Sequence, residues 1–395
     1  MWQKTKNLYH LFVAVSSNIL FHFPAKKLTI IGVTGTDGKT TTVNLIYHIL
    51  KSSGKSVSML SSVGAYIGGK EYDTGFHVTT PSPFSLQSFL RKAVVAKSEY
   101  FVLEVTSHAL DQHRIWGIPI KVGVLTNITH EHLDYHKTFE NYLNTKLKLL
   151  QIADCDVVNR DDPSYKLLTR IKNSKSDSNW VTYGLSDNFR FDSEVLLGDF
   201  NRSNALAAVS VCRVLGLSDK EIDMAIKTFK MPTGRLDYVY EKDFSVVIDF
   251  AHTPNAFEQL LSSLRPKVKG RLIHVFGSAG ERDSEKRPLM GKVSSDYADI
   301  LFLTSEDPRS EDANKIIDEI ESGIKKKDVK VFKIADRKEA ITAAIKMADK
   351  KDMVLITGKA HEKSMNYSGK EEPWDEYKIV AEALSNRGNN DTSKK

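Results

Sequence analysis

Gly32-Val33-Thr34-Gly35-Thr36-Asp37-Gly38-Lys39-Thr40-Thr41-Thr42 is the stretch on which the fold turns. An apolar, β-branched run, Leu28-Thr29-Ile30-Ile31, leads into it, and Val43, Leu45, Ile46, Ile49 and Leu50 follow at helical spacing. Strand, glycine loop and helix are the parts of a phosphate cradle. Backbone N–H groups and the helix N-terminus face the anion, Lys39 adds charge, and Thr40 can hold Mg2+. The spacing departs from the strict Walker pattern, which wants glycine where Val33 stands, but Gly35-Thr36-Asp37-Gly38-Lys39-Thr40 is intact. A turn that merely joined strand to helix would need neither the lysine nor the threonine.

Further strands follow this loop: Ser56 to Leu60, Tyr100 to Val105, Val122 to Asn127 and Asp156 to Asn159. Helical stretches from about Phe84 to Ala96 and Phe139 to Leu150 lie between them. Strands alternating with helices predict a parallel-rich sheet covered on both faces, with ligands at the carboxyl ends of the strands. Glu104 and Asn127 stand at two of those ends. A second series, at Ser245 to Phe250, Leu272 to Gly277, Ile300 to Thr304, Val329 to Phe332 and Met353 to Gly358, predicts a second α/β domain. The fold class is therefore α/β: a P-loop central domain and a C-terminal Rossmann-like domain. The domains are expected at residues 28–235 and 236–386, after an N-terminal helix and linker (1–27) and before a polar, disordered tail (387–395).

A chain of 395 residues exceeds one small core. Its net charge of +6 is spread without a dense Lys/Arg block, which argues against nucleic acid. Two cysteines without a CxxC pair exclude a disulfide scaffold or thiolate zinc site and point to a cytoplasmic protein. The apolar Leu8 to Phe23 segment is interrupted by polar residues and too short to span a bilayer, so a helix packed on the body is expected.

Three clusters carry chemistry. Glu104-Val105-Thr106-Ser107-His108, with Asn127 and His130-Glu131-His132-Leu133-Asp134-Tyr135-His136, offers oxygen and imidazole ligands suited to Mg2+ or Mn2+. Gly277 to Asp283 is a charged glycine loop. Glu306-Asp307-Pro308-Arg309 and Gly358-Lys359-Ala360-His361-Glu362 sit at strand ends, where arginine can hold a carboxylate and glutamate an ammonium. Together they fit an amino acid. Lys146 alone reads as a solvated helix lysine.

These motifs, from Gly35-Thr36-Asp37-Gly38-Lys39-Thr40-Thr41 through Thr79-Thr80-Pro81, Gln112-His113-Arg114 and Asp249-Phe250-Ala251-His252 to Gly358-Lys359-Ala360-His361-Glu362, follow one order. The chain resembles the Mur ligases, most closely the UDP-N-acetylmuramoyl-tripeptide synthetases, from about Lys27 to Tyr367. The resemblance implies ATP-dependent amide synthesis through an acyl phosphate, with two Mg2+ ions, on small-molecule substrates, by a monomer. It implies phosphate contacts at Gly35, Thr36, Asp37, Gly38, Lys39, Thr40 and Thr41, and further ATP contacts at Asn201, Asn204, Arg235 and Asp249. It makes Thr40, Glu104 and His132 metal ligands, joined by Lys146 as a CO2-derived carbamate. Catalysis falls to Lys39, Glu104, His132 and Lys146. Contacts to the muramoyl peptide fall to Thr79, Thr80, Ser107, Gln112 and Arg114, and those to the amino acid to Glu306, Asp307, Arg309, Gly358 and Glu362.

Two departures stand out. The family carries an N-terminal domain that holds uridine diphosphate, and residues 1–27 are expected to be its last helix. Diaminopimelate enzymes carry Asp-Asn-Pro-Arg where Glu306-Asp307-Pro308-Arg309 stands, so meso-diaminopimelate and L-lysine both remain open. A folylpolyglutamate-type ligase and a P-loop NTPase switch are the alternatives.

Overall fold

A computed structural model describes residues 2–75, 79–129, 131, 133–172, 179–191, 193, 195–326 and 328–392. The chain divides into two compact units, Met1–Lys230 and Met231–Lys395.

In the first unit the strands are β1 (Thr29–Thr34), β2 (Val57–Ser61), β3 (Gly64–Ile67), β4 (Lys70–Tyr72), β5 (Tyr100–Glu104), β6 (Ile120–Leu125), β7 (Ala153–Asn159) and β8 (Asn179–Tyr183). They form one sheet in the order β4-β3-β2-β5-β1-β6-β7-β8. β1 lies between β5 and β6, parallel to both, and is buried from Ile30 onward. A central parallel strand is covered on both faces, which is why its residues read as an unbroken apolar run. Ile30, Leu60, Leu90, Phe101 and Leu103 form part of the core beneath it. The carboxyl ends of β1, β5 and β6 carry the glycine loop, Glu104 and Thr126-Asn127. The antiparallel β2-β3-β4 meander was not foreseen. Its outer strand exposes Lys70 and Glu71, so no apolar pattern announces it.

The helix Trp2–Leu20 packs within this unit, where Asn18 Nδ2 donates to the Trp116 carbonyl at 2.9 Å. Among the described residues no helix is long and apolar enough to cross a membrane.

In the second unit the strands are β9 (Asp237–Glu241), β10 (Ser245–Asp249), β11 (Leu272–Phe276), β12 (Ile300–Leu303), β13 (Lys330–Lys333) and β14 (Met353–Thr357), ordered β13-β12-β11-β14-β10-β9. All pairs are parallel except β10 with the edge strand β9. A hairpin, β15 (Ser364–Tyr367) with β16 (Lys370–Pro373), follows.

The expected disordered tail is corrected in part. The last helix runs Glu376–Thr392, past Arg387. Arg387 lies 4.4 Å from the Phe244 ring centroid and donates to the Ile345 carbonyl, which ties that turn to the unit. Residues 393–395 lie outside the described residues. Arg235, expected in the central domain, lies in the second unit, which starts at Met231. Its guanidinium stacks 4.6 Å from the Phe250 ring centroid, and the neighbouring Leu236 N–H donates to Asp249.

Candidate active site

The glycine loop is held from below by the end of β6. Thr36 N–H donates to the Asn127 carbonyl and Asp37 N–H to Asn127 Oδ1, both at 2.9 Å. The Asp37 carbonyl accepts from Thr126 Oγ1 at 2.7 Å and Asn127 Nδ2 at 3.1 Å. Gly38, at φ 80°, starts the helix Lys39–Ser52, and a Cβ there would stand 2.1 Å from Asn204 Oδ1. The position therefore demands glycine twice, for backbone sign and for space. Asn201 and Asn204 are buried in the helix Gly198–Val214, which packs along the helix of the loop. Asn204 thus walls the loop, and Asn201 lies behind it, its Oδ1 3.5 Å from Asn204 Nδ2. Thr41 is buried in the same first turn as Lys39.

Lys39 Nζ folds across the loop and donates to the Thr36 carbonyl at 2.7 Å. Thr40 Oγ1 meets both Glu104 oxygens, at 3.2 and 3.0 Å, and Ser62 Oγ at 2.9 Å. Ser62 N–H also donates to Glu104 at 3.0 Å. Two hydroxyls and a carboxylate are hard oxygen donors, the set that Mg2+ takes beside a phosphate. Ser62 carried no signal in the sequence. Among the described residues no group of three His, Cys, Asp or Glu could by itself hold a metal. His130 and His132 lie outside the described residues.

Lys146 overturns its reading as a solvated lysine. It is 1% exposed, and its Nζ donates to the Gly35 carbonyl at 2.6 Å, with the Tyr142 ring centroid 4.7 Å away. Burial, with the Lys39 charge, holds its amine well below the ordinary lysine range. Tyr142 Oη is also in the loop's network, 3.0 Å from Thr36 Oγ1.

The expected muramoyl-peptide residues form an adjoining cluster in the same unit. Thr80 Oγ1 donates to the Glu104 carbonyl at 2.9 Å, and the Thr80 carbonyl accepts from Arg114 at 2.6 Å. Arg114 also grips Gln112 Oε1 from Nε and Nη2, at 3.0 and 2.7 Å. Ser107 Oγ lies 3.0 Å from His136 Nε2. Thr79 is half-buried beside them.

In the second unit, Asp249 at the end of β10 accepts from the Leu236 and Ala251 N–H groups, each at 2.7 Å. Desolvation raises its pKa, opposed by Arg235 and these two donors. The loops after β12 and β14 meet through Lys359, which is fully buried. Its Nζ pairs with Asp307 at 2.9 and 3.0 Å and with Glu362 at 2.6 Å. Glu306 packs on Gly358, where a Cβ would stand 2.3 Å from Glu306 Oε2. That oxygen has no hydrogen-bond partner among the described residues. Burial pushes the Glu306 carboxyl up to about 8, against Lys286, Arg337 and Lys359. Arg309 sits at φ 54°, pinned at its backbone by Asn366 and Ser368, and its guanidinium makes no ion pair among the described residues. Glu306 thus packs on Gly358, Asp307 and Glu362 meet on Lys359, and Arg309 is placed near them by its backbone alone; Lys359 is the residue the motif reading left without a role.

A strand–loop–helix phosphate cradle with a hydroxyl–carboxylate set, on a parallel-rich α/β sheet, defines the class: a nucleotide-using enzyme. Residues 33–196 match the Mur ligase middle domain, and residues 234–360 match the Mur ligase glutamate ligase domain. The chain is 38% identical over 397 residues to the UDP-N-acetylmuramoyl-L-alanyl-D-glutamate–2,6-diaminopimelate ligase of Aquifex aeolicus, covering 94% of this chain and 81% of that one. It is 38% identical over 405 residues to the UDP-N-acetylmuramyl-tripeptide synthetase of Borreliella burgdorferi, covering 94% and 80%. A solved UDP-N-acetylmuramoyl-L-alanyl-D-glutamate–2,6-diaminopimelate ligase aligns with a TM-score of 0.60 at 30% identity, covering 91% of this chain and 79% of that one. Mycobacterium tuberculosis folylpolyglutamate synthase, complexed with ADP and AMPPCP, shares the fold at a TM-score of 0.70, with 16% identity and 88% and 92% of the two chains covered. The chain belongs to the Mur ligase family. It is an ATP-dependent ligase that joins a carboxylate to an amino acid through a C–N bond.

Proposed function

We propose that this ligase adds meso-diaminopimelate to UDP-N-acetylmuramoyl-L-alanyl-D-glutamate, extending a peptidoglycan precursor to the tripeptide stage. The observation that carries the choice of amino acid is the Lys359 bridge. Asp307, the carboxylate standing in place of the family's asparagine, is held by a buried lysine that it shares with Glu362, which weakens its repulsion of a substrate that brings a second carboxylate. Arg309, with its guanidinium unpaired, supplies the fork for such a carboxylate. L-lysine is the second reading, favoured by the additional acid at Asp307.

The chemistry follows from the charges. A carboxylate resists an amine because its leaving group would be oxide. The glutamate carboxylate attacks the γ-phosphorus of ATP, the bond to ADP breaks, and an acyl phosphate forms. The amino acid's neutral amine then attacks the acyl carbon, phosphate leaves with the bonding pair, and the amine loses its proton. Lys39 sits where it can offset the approach of two anions. Bound Mg2+ would supply further charge neutralisation, and Thr40, Ser62 and Glu104 have the oxygen donors to hold it. A buried amine whose pKa is lowered, as at Lys146, loses its proton more readily and can then take up CO2 and release a proton, which supports the carbamate reading and would add an anionic oxygen ligand beside Glu104. Asn201, Asn204, Arg235 and Asp249 are proposed as ATP contacts, and Thr79, Thr80, Ser107, Gln112 and Arg114 as contacts to the muramoyl peptide. A cytoplasmic monomer is the proposed working form.

The test is phosphate release with ATP, Mg2+ and UDP-N-acetylmuramoyl-L-alanyl-D-glutamate, comparing meso-diaminopimelate, L-lysine and no amino acid. Release that requires meso-diaminopimelate is expected, and release that requires only L-lysine replaces the first reading by the second. Failure with every amino acid would move the search to another acceptor.

A further inference from the structure

We infer that the buried pair Arg337–Glu376 is a positioning device that fixes the loops after β12 and β14 against each other; its consequence for the reaction rests on the amino-acid reading given above. Both residues are fully buried. Arg337 Nε and Nη2 donate to the two Glu376 oxygens, each at 2.8 Å, in a fork-to-fork contact. Two further N–H groups leave the pair. Nη1 donates to the Ser305 carbonyl at 3.3 Å and Nη2 to the Thr357 carbonyl at 2.7 Å. Ser305 immediately precedes Glu306, and Thr357 immediately precedes Gly358. Glu376 extends the brace, since Oε1 accepts from the Ala360 N–H at 3.3 Å and Oε2 from Trp374 Nε1 at 3.0 Å. One ion pair therefore holds the backbone on both sides of the Glu306–Gly358 contact.

Stability alone does not account for it. A buried ion pair pays a desolvation cost that its attraction often fails to repay, and apolar residues of similar size can serve as well. Arg337 also stands first in the helix Arg337–Met347, where the helix dipole disfavours a cation. What the fork supplies, and an apolar pair cannot, is direction: four of the guanidinium's five N–H groups are spent at fixed angles. Each partner is a carboxylate or a backbone carbonyl at or just beyond a strand end. Neither residue is a catalytic residue, because neither reaches into the substrate-facing set of Arg309 and Glu362 except through backbone.

The variant to make is Arg337→Met with Glu376→Gln, which removes both charges together and keeps an acceptor for Ala360 or Trp374. Two readouts are taken on the full chain: amide hydrogen exchange of residues 305–309 and 358–362, and KM for the amino acid against KM for ATP. The expected result is at least tenfold faster exchange in both loops with the strands β11 and β14 unchanged, a KM for the amino acid raised tenfold or more, and a KM for ATP within twofold. Unchanged exchange in the two loops, or an unchanged amino-acid KM in a folded double variant, overturns the inference. Should the double variant not fold, Arg337→Lys keeps the charge and loses the fork, and the same two readouts decide. Loops that loosen in a protein whose wild type turns over no amino acid would leave the brace standing and remove the functional reading instead.

Discussion

Glu306 is the residue whose environment and chemistry disagree most. Its carboxyl is buried beside Lys286, Arg337, Asp307 and Lys359, yet one oxygen lacks a partner among the described residues, and its pKa rises to about 8. The folded state then keeps the proton up to about pH 8, whereas an unfolded glutamate loses it near its ordinary value of 4.5. The folded form binds more protons across that window, so stability falls as pH rises from about 4.5 to 8. Glu306→Gln does not titrate. The variant should gain on wild type in urea midpoint between pH 5 and 8, at up to ~1.4 kcal/mol per pH unit. A gap that is the same at both pH values would refute the buried, protonated carboxyl. Ala360 offers a second case. It holds φ 43°, a left-handed conformation that costs an alanine about 1 kcal/mol more than a glycine, so Ala360→Gly should raise the midpoint modestly at every pH. A lower midpoint would mean that the Cβ, packed near Gly234, contributes more than the strain costs.

At the scale of the element, the glycine loop and its helix were legible because local chemistry dictates them. β1, the loop and the helix follow in the order their apolar periodicity and glycines predict, although β1 continues past Ile31 to Thr34 and the helix opens at Lys39, ahead of the apolar pattern that begins at Val43. Lys146 was not legible. Its place on the helix Phe139–Gln151 looks like any solvated lysine, and only tertiary packing buries it beneath the Gly35 carbonyl. The expected consequence is that Lys146→Ala loses activity by at least a hundredfold and recovers part of it when a small carboxylate such as acetate is added, since the cavity then receives the oxygen donor it lacks. Full activity without the additive would rule out a carbamate at this position. The last helix shows the opposite error. Its polar end read as disordered because the sequence does not reveal that Arg387 finds Phe244 and the Ile345 carbonyl. Arg387→Ala should therefore cost ~1 kcal/mol in urea unfolding, the usual size of a partly buried cation–π contact with one hydrogen bond. No change at all would return the segment to a passive tail.

Over the whole molecule, the two parallel series of strands were readable from their apolar runs, while β3, β4 and β9 were not: β4 and β9 lie at sheet edges and keep polar or half-exposed residues, and β3 is only the four residues Gly64–Ile67. Each unit has its own sheet, core and ligand chemistry, and that separation predicts how lesions divide the reaction. Arg309 belongs to the second unit, far in sequence from the phosphate loop, and its proposed task arises only when the amino acid arrives. Removing a two-point contact between charged groups costs ~1.5–3 kcal/mol. Arg309→Ala should then raise the amino-acid KM from about tenfold to a hundredfold. Formation of the acyl phosphate needs only ATP and the glutamate carboxylate, so ADP–ATP exchange without amino acid should proceed within threefold of wild type. Lys39→Ala should abolish exchange and ligation together, because its proposed role is to offset charge in the first step. If Arg309→Ala were to stop exchange as completely as Lys39→Ala, the second unit's loops would be part of the phosphate chemistry, and Arg309 would have to be reassigned from the amino acid to the nucleotide.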